Sequence, residues 1–471
     1  MMVFLASCGN GDGDKAAELP QADAGTELVM QCPTDCDDGN ECTEDSCDTG
    51  SGECVNTPLA AGALCDDGSA CTKDDACDGK SVCAGAEISC NDLLECTQDS
   101  CDPAGGCVNT GPAPDQLCTE PLPATEVYVQ PYLQDAQTDR MTVMWETIES
   151  CPGDVVFGPD PYYGRTALEE TERTIHEITL DGLEPGTEYY YRVAPCRDDL
   201  LLPEVYHFRT PPAGPEPFLF AVWGDSRTQP WAASEVTAGI AAFDPVLVVN
   251  VGDVVSSGEV YEQWKLEYFD PLAAFSGNVP SYIAIGTHEN DDDWFYAYGS
   301  QPSPEHSMAL TGGDARLVLL DTNHDYTEGS EQHDWLMAEL SSPDYTGAEW
   351  HFVFFHHPPY SEQWDSEGYV GEWLVATFLL PSIAEADVDV LFCGHTHDYE
   401  RGYIPMGKGM NYVITGGGGA ALDTVHNKDW EEIEVYASEY HFMAVEIDGK
   451  DAVVTARLPD GSVLDQFEIH H

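Results

Sequence analysis

The sequence predicts a multidomain chain of three dissimilar parts: disulfide-rich repeats, then an all-β sandwich, then an α/β domain. Three observations carry this. Fourteen of the 18 Cys fall between Cys32 and Cys118. Residues 123–212 hold runs in which apolar and polar side chains alternate, bounded by turn residues. From Pro217 to the end, short unbroken apolar runs end in Gly, Asp or His, with helical stretches between some of them.

The repeats come first. Cys36-Asp-Asp-Gly-Asn-Glu-Cys42-Thr-Glu-Asp-Ser-Cys47-Asp48 returns from Cys65 to Asp78 and again from Cys90 to Asp102, and each unit closes on a further Cys at 54, 83 or 107. Units this poor in apolar side chains build no core, so disulfides must hold residues 32–118 together. That points to an oxidising compartment. The Asp-Asp-Gly turns are read as Asx-turns between staples, with Ca²⁺ binding as the alternative. The region is expected to be a stalk or interaction module. It resembles the acidic Cys-rich spacers of bacterial surface proteins.

Ahead of it, Leu5-Ala6-Ser7-Cys8 resembles the lipobox of bacterial lipoproteins. The resemblance implies that 1–8 is a signal remnant, that Cys8 is acylated, and that Gly-, Asn- and Asp-rich residues 9–31 form a tether. The expected location is outside the cytoplasm, secreted or anchored at a bacterial surface. No apolar run approaches the roughly 20 residues that span a bilayer.

In the second part, Val127-Tyr-Val129, Met141-Thr-Val-Met-Trp145 and Leu183 to Val193 read as strands of a sandwich. The last stretch resembles the E–F corner of fibronectin type III domains, with Tyr189 as the corner tyrosine. Cys151 and Cys196 are an expected pair.

The third part, 217–471, carries the chemistry. Its runs are Phe218–Trp223, Pro245–Val251, Tyr282–Ile285, Leu317–Leu320, Phe352–Phe355 and Val388–Phe392. After four of them come Gly224-Asp225-Ser226-Arg227, Gly252-Asp253, Gly286-Thr287-His288-Glu289 and His356-His357-Pro358-Pro359-Tyr360. After the last come Gly394-His395-Thr396-His397-Asp398-Tyr399-Glu400-Arg401. Carboxylates and imidazoles at strand ends are metal ligands by type. A carboxylate bridging two cations makes a site for phosphoryl chemistry. Cys393 lies in an apolar run and reads as a buried free thiol.

This order resembles the calcineurin-like metallophosphoesterase superfamily, and within it the purple acid phosphatases, whose catalytic domain follows a fibronectin-like one. The resemblance implies two packed sheets flanked by helices and a phosphate monoesterase working through metal-bound hydroxide. It implies that Asp225 and His397 hold one cation, that Asp253 bridges, and that His356, His395 and Thr287 serve the second. His288 faces the substrate. Fe, Mn or Zn would suit these ligands. Three positions depart from the pattern. Ser256 stands where purple enzymes have the Tyr that gives their colour. Arg227 stands where many relatives have a His ligand. Thr287 stands for the usual Asn.

Arg227 is read either as a fork for a phosphate oxygen or as a structural partner of an acid. Arg401 is read as a brace for the His loop. His357 is read as a satisfied polar residue, with support of the ligands as the minority reading. Asp321-Thr322-Asn323 is expected to brace the site. Gly416-Gly-Gly-Gly419 is read as a tight turn rather than a phosphate cradle. A phosphodiesterase or nucleotidase, or a surface binding protein on an impaired phosphatase fold, remain the alternatives.

Charge limits the partners. The 471 residues carry 17 Lys+Arg against 86 Asp+Glu, a net −69. That excludes nucleic acid, which needs an extended basic face. It leaves small phosphate esters as substrates, met by cations in the site.

Overall fold

The computed structural model describes residues 33, 36–88, 98–110, 127–197, 201–365 and 368–471. Cys8, the tether 9–31, Cys32, Cys90, Cys96, Cys118 and residues 111–126 lie outside the described residues.

The repeats form three hairpins: Thr43–Asp48 with Glu53–Pro58, Thr72–Cys77 with Cys83–Glu87, and Gln98–Asp102 with Gly106–Thr110. Their disulfides follow a rule. Cys36–Cys54 and Cys65–Cys83 close single units, while Cys42–Cys77 and Cys71–Cys101 tie each unit to the next. The Asp-Asp-Gly turns are held by their own carboxylates: Asp37 and Asp66 accept from the N–H of Gly39 and Gly68 at 2.8 Å each. Asp38 also accepts from Asn40 N, Thr43 Oγ1 and Asn56 Nδ2. These are the Asx-turns expected from the sequence.

The sandwich pairs a four-stranded sheet (Arg165–Leu168, Asp154–Gly158, Glu188–Ala194, Tyr206–Arg209) with a three-stranded one (Arg173–Asp181, Arg140–Cys151, Val127–Gln134). Met141, Val143, Trp145, Val155, Tyr191, Val193 and Phe208 are buried between them. The Tyr189 hydroxyl accepts the Glu184 N–H at 2.9 Å, a corner that fixes the turn before its strand. Cys151 and Cys196 are bonded. Buried His176 lies flat on Trp145, 4.5 Å between rings, and is held by Glu169 and Thr147.

The α/β domain stacks two sheets. One runs Ser281–Ile283, Leu247–Asn250, Phe218–Trp223, Phe442–Asp448, Asp451–Arg457, Val463–His470. The other runs Met308–Gly312, Ala315–Leu319, Trp350–Phe354, Val390–Cys393, Met410–Thr415, Tyr399–Ile404, Ile433–Ala437. The strands that precede the ligand loops pair in parallel. They are mostly apolar and almost wholly buried because both faces are covered. Phe218, Phe220 and Val222 enter the core between the sheets, while Ala221 and Trp223 meet the helical layer. The helix Pro230–Phe243 packs on one sheet. Glu331–Leu340 packs on the other, capped by the Ser330 hydroxyl. Cys393 is a buried free thiol.

Tyrosines stitch the sandwich to this domain. The hydroxyls of Tyr132 and Tyr191 donate to Tyr298 O and Gly277 O at 2.9 and 2.7 Å. Buried Glu146 accepts from Tyr261 and Tyr298 at 2.6 and 2.7 Å.

Candidate metal centre

Parallel strands end side by side, so the residues that follow them converge. Asp225 follows Phe218–Trp223, Asp253 follows Leu247–Asn250, His356 follows Trp350–Phe354, and His395 follows Val390–Cys393. Asp225, Asp253 and His356 are each at most 1% exposed. Asp225, Asp253 and His395 adopt φ of 54°, 58° and 73°. A non-glycine residue in this left-handed region costs energy and persists only where its surroundings enforce it.

Backbone donors aim the carboxylates. Asp225 Oδ2 accepts the His395 N–H at 2.9 Å, and Asp253 Oδ1 accepts the His288 N–H at 2.9 Å. Asp253 Oδ1 lies 3.3 Å from His356 Nε2, and its Oδ2 lies 3.3 Å from Arg227 Nε and 3.8 Å from His288 Nε2. One carboxylate thus faces both halves of the site. His397 Nε2 lies 3.7 Å from Asp225 Oδ1, and His395 Nδ1 lies 3.2 Å from His356 Nε2.

This donor set fits cations. Asp225 Oδ1 is buried with no hydrogen-bond partner. For a charged oxygen that omission costs about 1–3 kcal/mol or more. His356 donates Nδ1–H to Val251 O at 2.8 Å and His397 to Ala421 O at 2.9 Å. Each therefore turns its Nε2 lone pair toward a carboxylate, and that contact repels unless a proton or a metal ion stands between.

Burial is the largest single influence on the ionisable groups here. It pushes the Asp225 carboxyl well above its usual range, against the pull of His356 and Arg227. For Asp253 burial is outweighed, and His356, His288 and Arg227 hold it well below. His356 is buried too, but Asp253 and Asp225 raise it to about 9. Burial, with the charge on His356, keeps His357 neutral down to about 3 and His395 down to about 2.

The Thr287 hydroxyl is tied to His357 Nε2 at 3.0 Å, and Thr322 Oγ1 meets His357 Nδ1 at 2.8 Å. The ring nitrogens of His357, His356 and His395 lie within 4.8 Å of one another, so His357 has a larger part than the sequence suggested. Ser256 is tied to Glu267, its hydroxyl 2.8 Å from one carboxylate oxygen and its N–H 2.6 Å from the same oxygen. His288 donates Nδ1–H to Ser256 O at 2.7 Å, leaving Nε2 toward the mouth.

Further hydrogen bonds support the site. Buried Glu289 accepts the N–H groups of Asp253, Val254 and Gly286 at 3.0, 2.7 and 2.6 Å, pinning two ligand loops. Asp423 accepts the N–H groups of His397 and Asp365, both at 2.8 Å. Asp365 in turn accepts from Thr424 and Val425. This clasp seats Trp364 over the His395 ring at 5.0 Å and 20°. Asn323 donates to Ile285 O and Gly286 O, so the Asp321–Asn323 loop does brace the site. Arg401 is a brace as well, bonded to Asp465 and Glu434.

The Gly416–Gly419 run differs from the expected tight turn. None of the four has a positive φ. They lie flat against the Asp225 loop, with Gly418 N–H bonded to Gly224 O at 2.9 Å and Ala420 N–H to Asp225 O at 2.8 Å. A Cβ on Gly418 would meet Gly224 O at 2.2 Å. The run is a strut without side chains.

Comparison with known proteins agrees with this geometry. Residues 219–399 match the calcineurin-like phosphoesterase family and 127–210 match the purple acid phosphatase N-terminal domain. Residues 35–59 and 89–110 match the Dictyostelium (slime mold) repeat. The chain is 28% identical over 307 residues to purple acid phosphatase 18 of Arabidopsis thaliana, covering 59% of this chain and 67% of that one. It is likewise 28% identical over 322 residues to purple acid phosphatase 21 of the same plant, covering 62% and 71%. The purple acid phosphatase PPD1 from yellow lupin shares the fold, with a TM-score of 0.64 at 20% identity over 73% of this chain and 74% of that one. With both matches in order along one chain, residues 219–399 form a calcineurin-like phosphoesterase domain that follows an N-terminal domain of the purple acid phosphatase type.

Proposed function

We propose that the chain is an extracytoplasmic phosphoesterase that hydrolyses small phosphate monoesters with two metal ions. The observation that carries this is the convergence of five donors, Asp225, Asp253, His356, His395 and His397, around an orphaned carboxylate oxygen. Asp225, Asp253 and His397 would hold the first cation. Asp253, His356 and His395 would hold the second, with Thr287 or His357 nearest for a further contact. When bound, the cations orient the phosphoryl group, activate water and offset charge on the departing oxygen. Fe, Mn and Zn all suit these donors.

The chain's own residues do the rest. Asp253 keeps one oxygen toward each half of the site, so a single carboxylate sets the spacing of the two positions. His288 is held by its Nδ1 and, when protonated, presents Nε2–H to the leaving oxygen. Trp364 closes one side of the mouth and limits water there.

The disulfide-tied repeats favour an oxidising compartment. Among the described residues no helix is long and apolar enough to cross a membrane, and anchoring would fall to Cys8. The test is phosphate release from a panel of mono- and diesters by metal-reloaded protein, with metal content measured in parallel. Asp253→Asn should abolish turnover and lower metal content. Full activity in that variant would sink the mechanism. Loss of membrane association in Cys8→Ser would support the anchor.

A further inference from the structure

One cationic side chain sits among the donor atoms. Arg227 lies two residues after Asp225, and its side chain is 15% exposed. Its Nε is 3.3 Å from Asp253 Oδ2 and its Nη2 is 3.3 Å from His397 Nε2. Those two atoms, with Asp225 Oδ1, are the donors assigned above to the first cation. We propose that Arg227 is a displaceable placeholder for that cation, and that a phosphate oxyanion draws it out of the way. The inference rests on the phosphoesterase reading and deepens it.

The contacts argue for competition. His397 spends its other nitrogen on Ala421 O, so its Nε2 has one lone pair to give, either to Arg227 or to a metal ion. The Asp253 bond is charge-assisted, so it is among the stronger kinds. A guanidinium does not lose its proton in a protein. It therefore cannot vacate by titrating and has to move. It also has no substitute. The other cationic side chains after Pro217 are engaged elsewhere, on carboxylates or, for Lys428, over Trp430.

The released group has a use. Its planar fork matches two oxygens of a phosphate, and the substrate binds beside it. Phosphate that captures the fork frees Asp253 and His397 for the cation. By reciprocity the cation then strengthens phosphate binding by the same factor. The first position would fill tightly only when substrate or product is present.

The test adds Mn²⁺ to metal-stripped full-length protein and reads binding by calorimetry and EPR, with and without inorganic phosphate. Two unequal events are expected, the weaker by roughly tenfold or more and strengthened by phosphate in a similar proportion. The weaker event should vanish in Asp225→Asn. Arg227→Met keeps the stem and removes the fork, so it should equalise the two affinities and cancel the phosphate effect. Arg227→Lys keeps the charge without the bidentate geometry. It should leave the affinities unequal and still cancel most of the phosphate effect, and this covers the case in which the Met variant misfolds. Two equal, phosphate-insensitive events in the unaltered protein would overturn the inference and leave the phosphoesterase reading standing. No binding of Mn²⁺ at all would overturn both.

Discussion

Gly418→Ala adds one methyl group at a buried position, and its effect follows from the contacts that methyl would make. The new Cβ would lie 2.2 Å from Gly224 O and 3.1 Å from the Trp223 ring, while an ordinary contact begins near 3.4 Å. Gly418 is bonded to Gly224 and Ala420 to Asp225, so the strand end cannot recede without dragging its ligand along. The needed shift is roughly 1 Å, which in a catalytic constellation costs about 10²-fold in rate. Overpacking of this kind costs about 1–3 kcal/mol of stability. The expected result is thus a variant that still unfolds cooperatively at a modestly lower Tm, yet turns over aryl phosphate about a hundredfold more slowly and holds less metal. The assay is steady-state phosphate release beside thermal unfolding and metal analysis. Turnover within threefold of the unaltered protein, at normal metal content, would refute the idea that the glycine run positions Asp225.

Other outcomes follow from single features. His441 is buried, and burial lowers its imidazole to about 4. Its folded value lies below the unfolded one of about 6.5, so the stability it contributes is present above pH 6.5 and is lost as pH falls toward 4. The loss is about 3 kcal/mol, and His441→Phe should flatten the slope of denaturant midpoint against pH over that window. The iron-loaded protein should show no purple tyrosinate band, because Ser256 replaces the Tyr and gives its hydroxyl to Glu267; a strong visible band would contradict this. With a net charge of −69, long-range repulsion should slow capture of phosphate esters at low salt. kcat/KM should rise with ionic strength, and a flat or falling profile would count against that account.

The parts of the site that sequence revealed share a property: each is announced by residue type at the end of an apolar run. Asp225, Asp253, His356, His395 and His397 are such residues, and the strand boundaries fell within a few residues of those expected. The tasks of the supports carry no such mark. Glu289 stands in the Gly286–Glu289 stretch that the sequence marks, but its task, accepting three backbone N–H groups, is visible only in the structure. Asp423 and Asp365 form a clasp between loops that are far apart in the chain. His357 gains weight only because Thr322 and Thr287 hold it beside His356. The glycine run was misread because glycine suits both a tight turn and a close approach of two backbones, and the sequence does not separate them.

The disulfide pattern of the repeats also sets how far they can be pulled. Along the backbone, Cys36 and Cys101 are 65 residues apart, a leash of roughly 230 Å when fully drawn. The cross-links shorten it. From Cys36 the chain runs six residues to Cys42, crosses to Cys77, runs back six to Cys71 and crosses to Cys101, with bridges spanning 5.5 and 5.8 Å between Cα atoms. That path draws out to only about 50 Å. Oxidised, the segment is a short strap that carries load through sulfur; reduced, its reach grows about fourfold. Whatever is attached at its two ends is held at close range only while the compartment stays oxidising.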